Sequence, residues 1–191
     1  MRNQLSPLTA PFPDEVAAIL STYPSQDGYI LSLFRTFANS ARFLKKGVPN
    51  LLDRGSPLDL RTREIVILRV TANRNCAYEW GVHVAYFAKA AKLTDGQIQA
   101  TRLGRHHSAK WTPREERLIE AIDQFCETGT LTDGVLKAFE TDWTVEEQLE
   151  ILALIGTYTT ISLVANVAQL PSESFAPPFP AGTIVEQQSP S

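Results

Sequence analysis

Apolar residues recur at three- and four-residue intervals through most of this chain, and nowhere do they alternate with polar ones long enough to read as a strand. The pattern predicts an all-α domain. Residues 28–46, GYILSLFRTFANSARFLKK, read as one amphipathic helix closed by Lys45 and Lys46, cations suited to its C-terminal end. Residues 59–71 read as the next helix, with Asp59 as N-cap and Ile65, Leu68 and Ala72 on an apolar face, and 76–92 as the one after it. Three capping-box spacings, Thr94 to Gln97, Thr112 to Glu115 and Thr144 to Glu147, start helices over 94–104, 112–127 and 144–169, with a shorter one over 132–140. Prolines at 7, 11, 13 and 24 leave an irregular arm over 1–27 with one short helix after Asp14. From 171 to 191 the chain is rich in Pro, Ser and Gln and loses the helical period, a tail or an arm laid over a neighbour. The expected organisation is a single domain over 28–170 between these two extensions.

Residues 151–170 are long and apolar enough to raise the question of a bilayer span. They carry Thr157, Thr159, Thr160, Ser162, Asn166 and Gln169 and continue an acidic helix start, so a buried central helix or a subunit interface is expected and no membrane partner. With 18 basic and 21 acidic residues and no basic stripe interleaved with aromatics, nucleic acid is not an expected partner. Two cysteines fifty residues apart fit a reducing compartment better than a disulfide framework. With no apolar run among the N-terminal prolines to suggest a secretory signal, cytoplasmic residence is the expectation.

Chemistry concentrates between residues 58 and 83, LDLRTREIVILRVTANRNCAYEWGVH. On a helix over 76–92, a rotation of roughly 100° per residue puts Cys76, Glu79 and His83 within about a 60° sector, and Phe87 and Ala90 extend that stripe as apolar residues. A thiol, an acid and a base on a dry face are groups whose pKa values can be moved. The polar run Asn73 to Asn75 is short enough to fold the two helices back on each other as a hairpin. With its centre near Arg74, Glu64 and His83 lie ten and nine positions from the turn, so at about 1.5 Å per residue they stand level and can pair. Asn75 reads as an N-cap that places Cys76 in the first helical turn, where the dipole favours a thiolate. One imidazole, two carboxyls and one thiol mix hard and soft ligands, which disfavours a metal. His106 and His107 read as caps for the end of their helix, and Cys126 as a small buried hydrophobe.

The strings LRTREIVILRV, CAYEWGVHVAYFAKAAKLTDGQIQA, WTPREERLIEAIDQF and WTVEEQLEILALIGTYTTISLVANV resemble the carboxymuconolactone decarboxylase family, related to the AhpD-like alkylhydroperoxidases, over roughly residues 28–170. The resemblance implies an AhpD-like helical fold, no organic cofactor or metal, and assembly into homo-oligomers, dimers, trimers or hexamers. In the hydroperoxidase branch a glutamate precedes a Cys-x-x-Cys pair and a histidine. Glu64, Cys76 and His83 fall on the glutamate, first cysteine and histidine, while Glu79 stands where the second, peroxidatic cysteine would be. In the decarboxylase branch a glutamate lies four residues before the histidine, as Glu79 and His83 do. That match implies a carboxy-lyase acting on a small, cyclic, carboxylated or enolisable substrate, with His83 as proton shuttle, Glu79 orienting it or acting as acid, and Glu64 setting their charge state. Arg63 and Arg74 are the candidates for anchoring a substrate carboxylate. A thiol-dependent antioxidant protein using Cys76, and a catalytically silent oligomeric scaffold, are the alternatives.

Overall fold

The computed structural model describes residues 5–103 and 110–181. Among these it is all-helical apart from an isolated bridge between Gln26 and Tyr29. The helices are α1 (Asp14–Leu20), α2 (Ser32–Phe37), α3 (Ala41–Lys46), α4 (Leu60–Asn73), α5 (Ala77–Phe87), α6 (Asp95–Leu103), α7 (Pro113–Thr128), α8 (Asp133–Asp142) and α9 (Val145–Val167). The expected caps of His106 and His107 lie outside the described residues.

The core is built around α4. Every residue from Glu64 to Ala72 is buried, and α5, α6, α7 and α9 all pack against this one helix. The run IVILRV is apolar on nearly all sides, which suits a helix surrounded by others and not one with a solvated back. Its one cation, Arg69, is neutralised in place: both carboxylate oxygens of Asp123 on α7 accept from its guanidinium, and Thr101 O accepts from Nη1 at 2.8 Å. Asp59 caps α4 by accepting the Thr62 amide at 2.7 Å.

The three capping boxes form where the spacing placed them. Thr112 and Glu115, and Thr144 and Glu147, exchange reciprocal hydrogen bonds at the starts of α7 and α9, and Thr94 with Gln97 does the same before α6. Residues 28–46 depart from expectation, forming two short helices in place of one. Asn39 turns its side chain onto the carbonyls of Ser6 and Thr36, and Ser40 adopts an extended backbone and caps α3 by accepting the Phe43 amide. Short polar side chains that bond the backbone locally compete with helix continuation, and here they win.

Among the described residues α9 is the one helix that could cross a bilayer by length and composition, yet its inner face, Ile151 through Ala165, is packed into the core. The chain beyond α9 also differs from a loose tail. Up to residue 181 it runs over the outer side of α5 of its own chain: Phe175 meets Tyr86, Phe179 meets Trp80, and Glu173 is buried. Glu173 accepts from the hydroxyls of Tyr78 at 2.6 Å and Tyr29 at 2.7 Å and from the Ser32 amide at 3.0 Å. Gly81 permits the crossing, since a Cβ there would sit 2.6 Å from Pro177 O.

Candidate active site

The α4–α5 hairpin positions the site. The reversal takes two residues: Arg74 ends α4 and Asn75 adopts a left-handed φ of 51°, a conformation asparagine tolerates better than most residues. The Cys76 amide then donates to Thr71 O at 2.8 Å. Cys76 itself therefore occupies the N-cap of α5, with Asn75 spent on the turn, which corrects the expectation of an Asn75 cap and a Cys76 in the first helical turn. Its thiol is fully buried. Burial pushes it up to about 11, only partly offset by the Glu79 amide at the helix start, so an activated thiolate is not what this position makes. Both Cys76 and Cys126 are free.

The level pairing expected across the hairpin is present. His83 Nδ1 lies 2.8 Å from Glu64 Oε2, and one turn before it on α5 Glu79 Oε1 lies 3.4 Å from the other ring nitrogen. The imidazole is clamped between two carboxylates. All three side chains are sealed from solvent, Glu64 at 0%, His83 at 3% and Glu79 at 5% exposure. Burial alone would push the imidazole down, but the charge and hydrogen bond of Glu64, joined by Glu79, reverse this and hold it up at about 10. Both carboxylates thus favour the protonated ring.

That charge state has a measurable consequence. A histidine raised from 6.5 to about 10 contributes stability that is complete below about 6.5 and is lost as pH rises toward 10. Urea unfolding should show stability falling already between about 6.5 and 8.5, before Cys76 begins its own loss, and the slope should vanish in His83→Gln. A flat profile in the parent protein would show that the clamp holds a neutral ring.

Two oxygens in this cluster, Glu64 Oε1 and Glu79 Oε2, are buried without a hydrogen-bond partner, as is Arg63 Nε. Native interiors rarely leave such atoms orphaned, and where they do a ligand-binding role is a standing explanation. Arg63 is held by Nη1 donating to Asp53 O at 2.9 Å, and its charge acts on the Tyr158 hydroxyl. Arg74 is not brought to the site. It lies at the turn, about 15 Å along α4 from Glu64, bonded to Cys126 O.

Sequence reasoning missed Tyr158. From α9 its ring meets His83 edge-on with centroids 5.1 Å apart, while Phe87 packs on the histidine from α5 at the same separation. Desolvation first, then Glu79 and Glu64, raise the phenol well above its ordinary range, so it stays a neutral donor. Ser162 is fully buried one turn further along α9. Nothing local marks these residues, which sit 75 and 79 positions after His83 within an apolar run. Among the described residues no His, Cys, Asp and Glu group is arranged to hold a metal ion.

Comparison with known proteins follows the same lines. The carboxymuconolactone decarboxylase family model matches residues 44–124. A protein of unknown function from Agrobacterium tumefaciens, suggested to be the antioxidant defence protein AhpD, superposes with a TM-score of 0.55 at 22% identity, covering 61% of this chain and 80% of that one. An uncharacterized peroxidase-related protein from Silicibacter sp. TM1040 superposes with a TM-score of 0.70 at 15% identity, covering 88% of this chain and 92% of that one. No protein with curated function matches. At these identities the two structures establish the shared fold. The segment that holds Glu64, Cys76, Glu79 and His83 thus lies within the stretch similar to the carboxymuconolactone decarboxylase family, and the chain shares the fold of the two solved structures.

Proposed function

We propose that this chain is a cofactor-independent acid/base enzyme of the carboxymuconolactone decarboxylase type, acting on a small carboxylated or enolisable substrate. The observation that carries the reading is the asymmetry of Glu79: one oxygen leans on the His83 imidazolium while Oε2 is buried with no partner. Decarboxylation breaks a carbon–carbon bond, leaves the electron pair on the conjugated frame of the substrate and requires one proton there. Glu79, a carboxylate at rest, takes one proton from solvent on Oε2 as the negatively charged substrate enters, delivers it to the carbon frame, and returns to the carboxylate that the imidazolium beside Oε1 stabilises. Glu64 keeps the imidazole charged and oriented. Arg63, with an unpartnered buried Nε, is the proposed anchor for the substrate carboxylate, and Tyr158 a neutral donor beside it. The triad is closed in this state, so turnover requires the seam between α5 and α9 to open.

The alternative is a thiol-dependent hydroperoxidase; of the two structural neighbours, one is described as a suggested antioxidant defence protein AhpD and the other as peroxidase-related. Two features weigh against it: Glu79 occupies the second cysteine position, and burial holds the Cys76 thiol up at about 11, where almost none of it is thiolate at neutral pH. A thermal-shift screen of lactone acids, aromatic acids and hydroperoxides separates the readings. A carboxylated compound is expected to raise the melting temperature, and to lose that effect in Arg63→Met. Stabilisation by hydroperoxides alone, or by nothing in the screen, would defeat the proposal.

A further inference from the structure

The stretch that follows α9 is fastened to the outside of α5 by side chains and hardly at all by its backbone. Residues 171–181, PSESFAPPFPA, hold four prolines and form no helix. Among the described residues their backbone makes one hydrogen bond to other backbone, Ala176 N–H to Glu173 O at 3.0 Å. Three side chains do the fastening. Glu173, 8% exposed, accepts from Tyr78, Tyr29 and the Ser32 amide, tying α5 to the start of α2. Burial opposes its charge, but those three donors outweigh it and hold the carboxyl below its ordinary range, so at neutral pH the bonds are charge-assisted. Phe175 meets Tyr86, and the Phe179 ring lies 5.3 Å from Trp80 and 4.1 Å beneath the Arg102 guanidinium. Between these points the strap passes over Gly81, close enough that no Cβ fits under Pro177 O.

Its course relates it to the buried cluster. A rotation of roughly 100° per residue puts Tyr78 and Gly81 on the side of α5 away from Glu79 and His83. The strap starts from the end of α9, where Gln169 turns the chain with a φ of 53° and Leu170 N–H donates to Ala165 O at 3.1 Å. It therefore leaves one wall of the α5–α9 seam and grips the far side of the other. Cys76 lies sealed within that seam, with Ser162 of α9 beside its sulfur. The two helices cannot part while the strap holds. A segment with almost no backbone bonds, pinned at separate points, opens as a unit at less cost than the packed helices beneath it.

We infer that residues 171–181 are the gate of the buried cluster: the strap lifts off α5 to let substrate reach Glu79 and His83, and Glu173 is its latch. What the gate admits rests on the enzymatic reading above. The gate itself is tested without any substrate.

Cys76 supplies the reporter. In a Cys126→Ser background it is the single thiol, and dithionitrobenzoate reaches it only when the seam opens. Losing a hydrogen bond to a charged group shifts an opening equilibrium about tenfold or more, so Glu173→Ala should label at least that much faster than its parent. Gly81→Ala is the decisive variant, since it favours α5 as a helix while forcing Pro177 away. It too should label faster, with unchanged helical circular dichroism. Lifting the strap exposes little surface, so in both variants the labelling rate should stay nearly flat from 0 to about 1 M urea. A Gly81→Ala protein whose Cys76 labels at the parent rate would overturn the inference. Acceleration that climbs with urea as steeply as global unfolding would overturn it as well, leaving the strap a plain stabilising contact. A thermal-shift screen without a carboxylated hit would defeat the lyase reading, and this labelling would still decide the gate.

Discussion

Glu79→Gln is expected to lower turnover by about 10²- to 10⁴-fold, the range a positioned proton donor contributes. The amide is nearly isosteric and can still accept from the imidazolium through its oxygen, so the fold should be retained and the loss should fall on the chemical step. Binding of the substrate, held by Arg63, should change little, and the defect should appear in kcat more than in KM. Cys76→Ser should keep activity within the same order of magnitude, because a buried, protonated thiol at the N-cap takes no part in the proposed proton transfer. Steady-state kinetics on the compound identified by thermal shift make the test. A Cys76→Ser variant that is dead while Glu79→Gln turns over normally would exchange the lyase for thiol chemistry. Equal activity in both variants would leave the triad a structural cluster.

The second large effect is on stability. His83→Ala is expected to cost about 3–5 kcal/mol, since removing one partner of a buried ionic cluster strands the others without compensation. Glu64, with no exposed surface, would lose its partner on Oε2 while Oε1 is already unpartnered, and Glu79 would lose the cation beside Oε1. Adding Glu64→Gln should return part of the loss, the signature of coupling within one cluster. Urea denaturation of the two single variants and the double variant measures each quantity, and a loss below about 1 kcal/mol would mean that no ion pair is held there.

Much of the helical framework was legible because the signals are local. The capping boxes at Thr94, Thr112 and Thr144 act within four residues and start their helices in the structure. The hairpin was legible for a related reason: a short turn between two helices reflects positions about its centre, so counting from Arg74 was enough to bring Glu64 level with His83. The break at Asn39 and Ser40 was harder: the bonds to Thr36 O and from the Phe43 amide are local, but Asn39 is also tied to Ser6 O, 33 residues away. The state of Cys76 was misread because the dipole of α5 can be inferred from sequence, whereas the burial that outweighs it depends on what α9 brings over the sulfur.

What the amino-acid order determined by itself was therefore the helical class, most helix starts and the facing of Glu64, Glu79 and His83, all consequences of a period of 3.6 residues and one short turn. Tertiary structure alone decided the rest: Tyr158 arrives beside the imidazole 75 residues later, the segment up to 181 folds back on α5 in place of trailing free, and the two carboxylates hold the His83 imidazole above its ordinary range. Proximity between distant segments, and the loss of water that accompanies it, set which groups carry charge, and neither is encoded in the spacing of neighbouring residues.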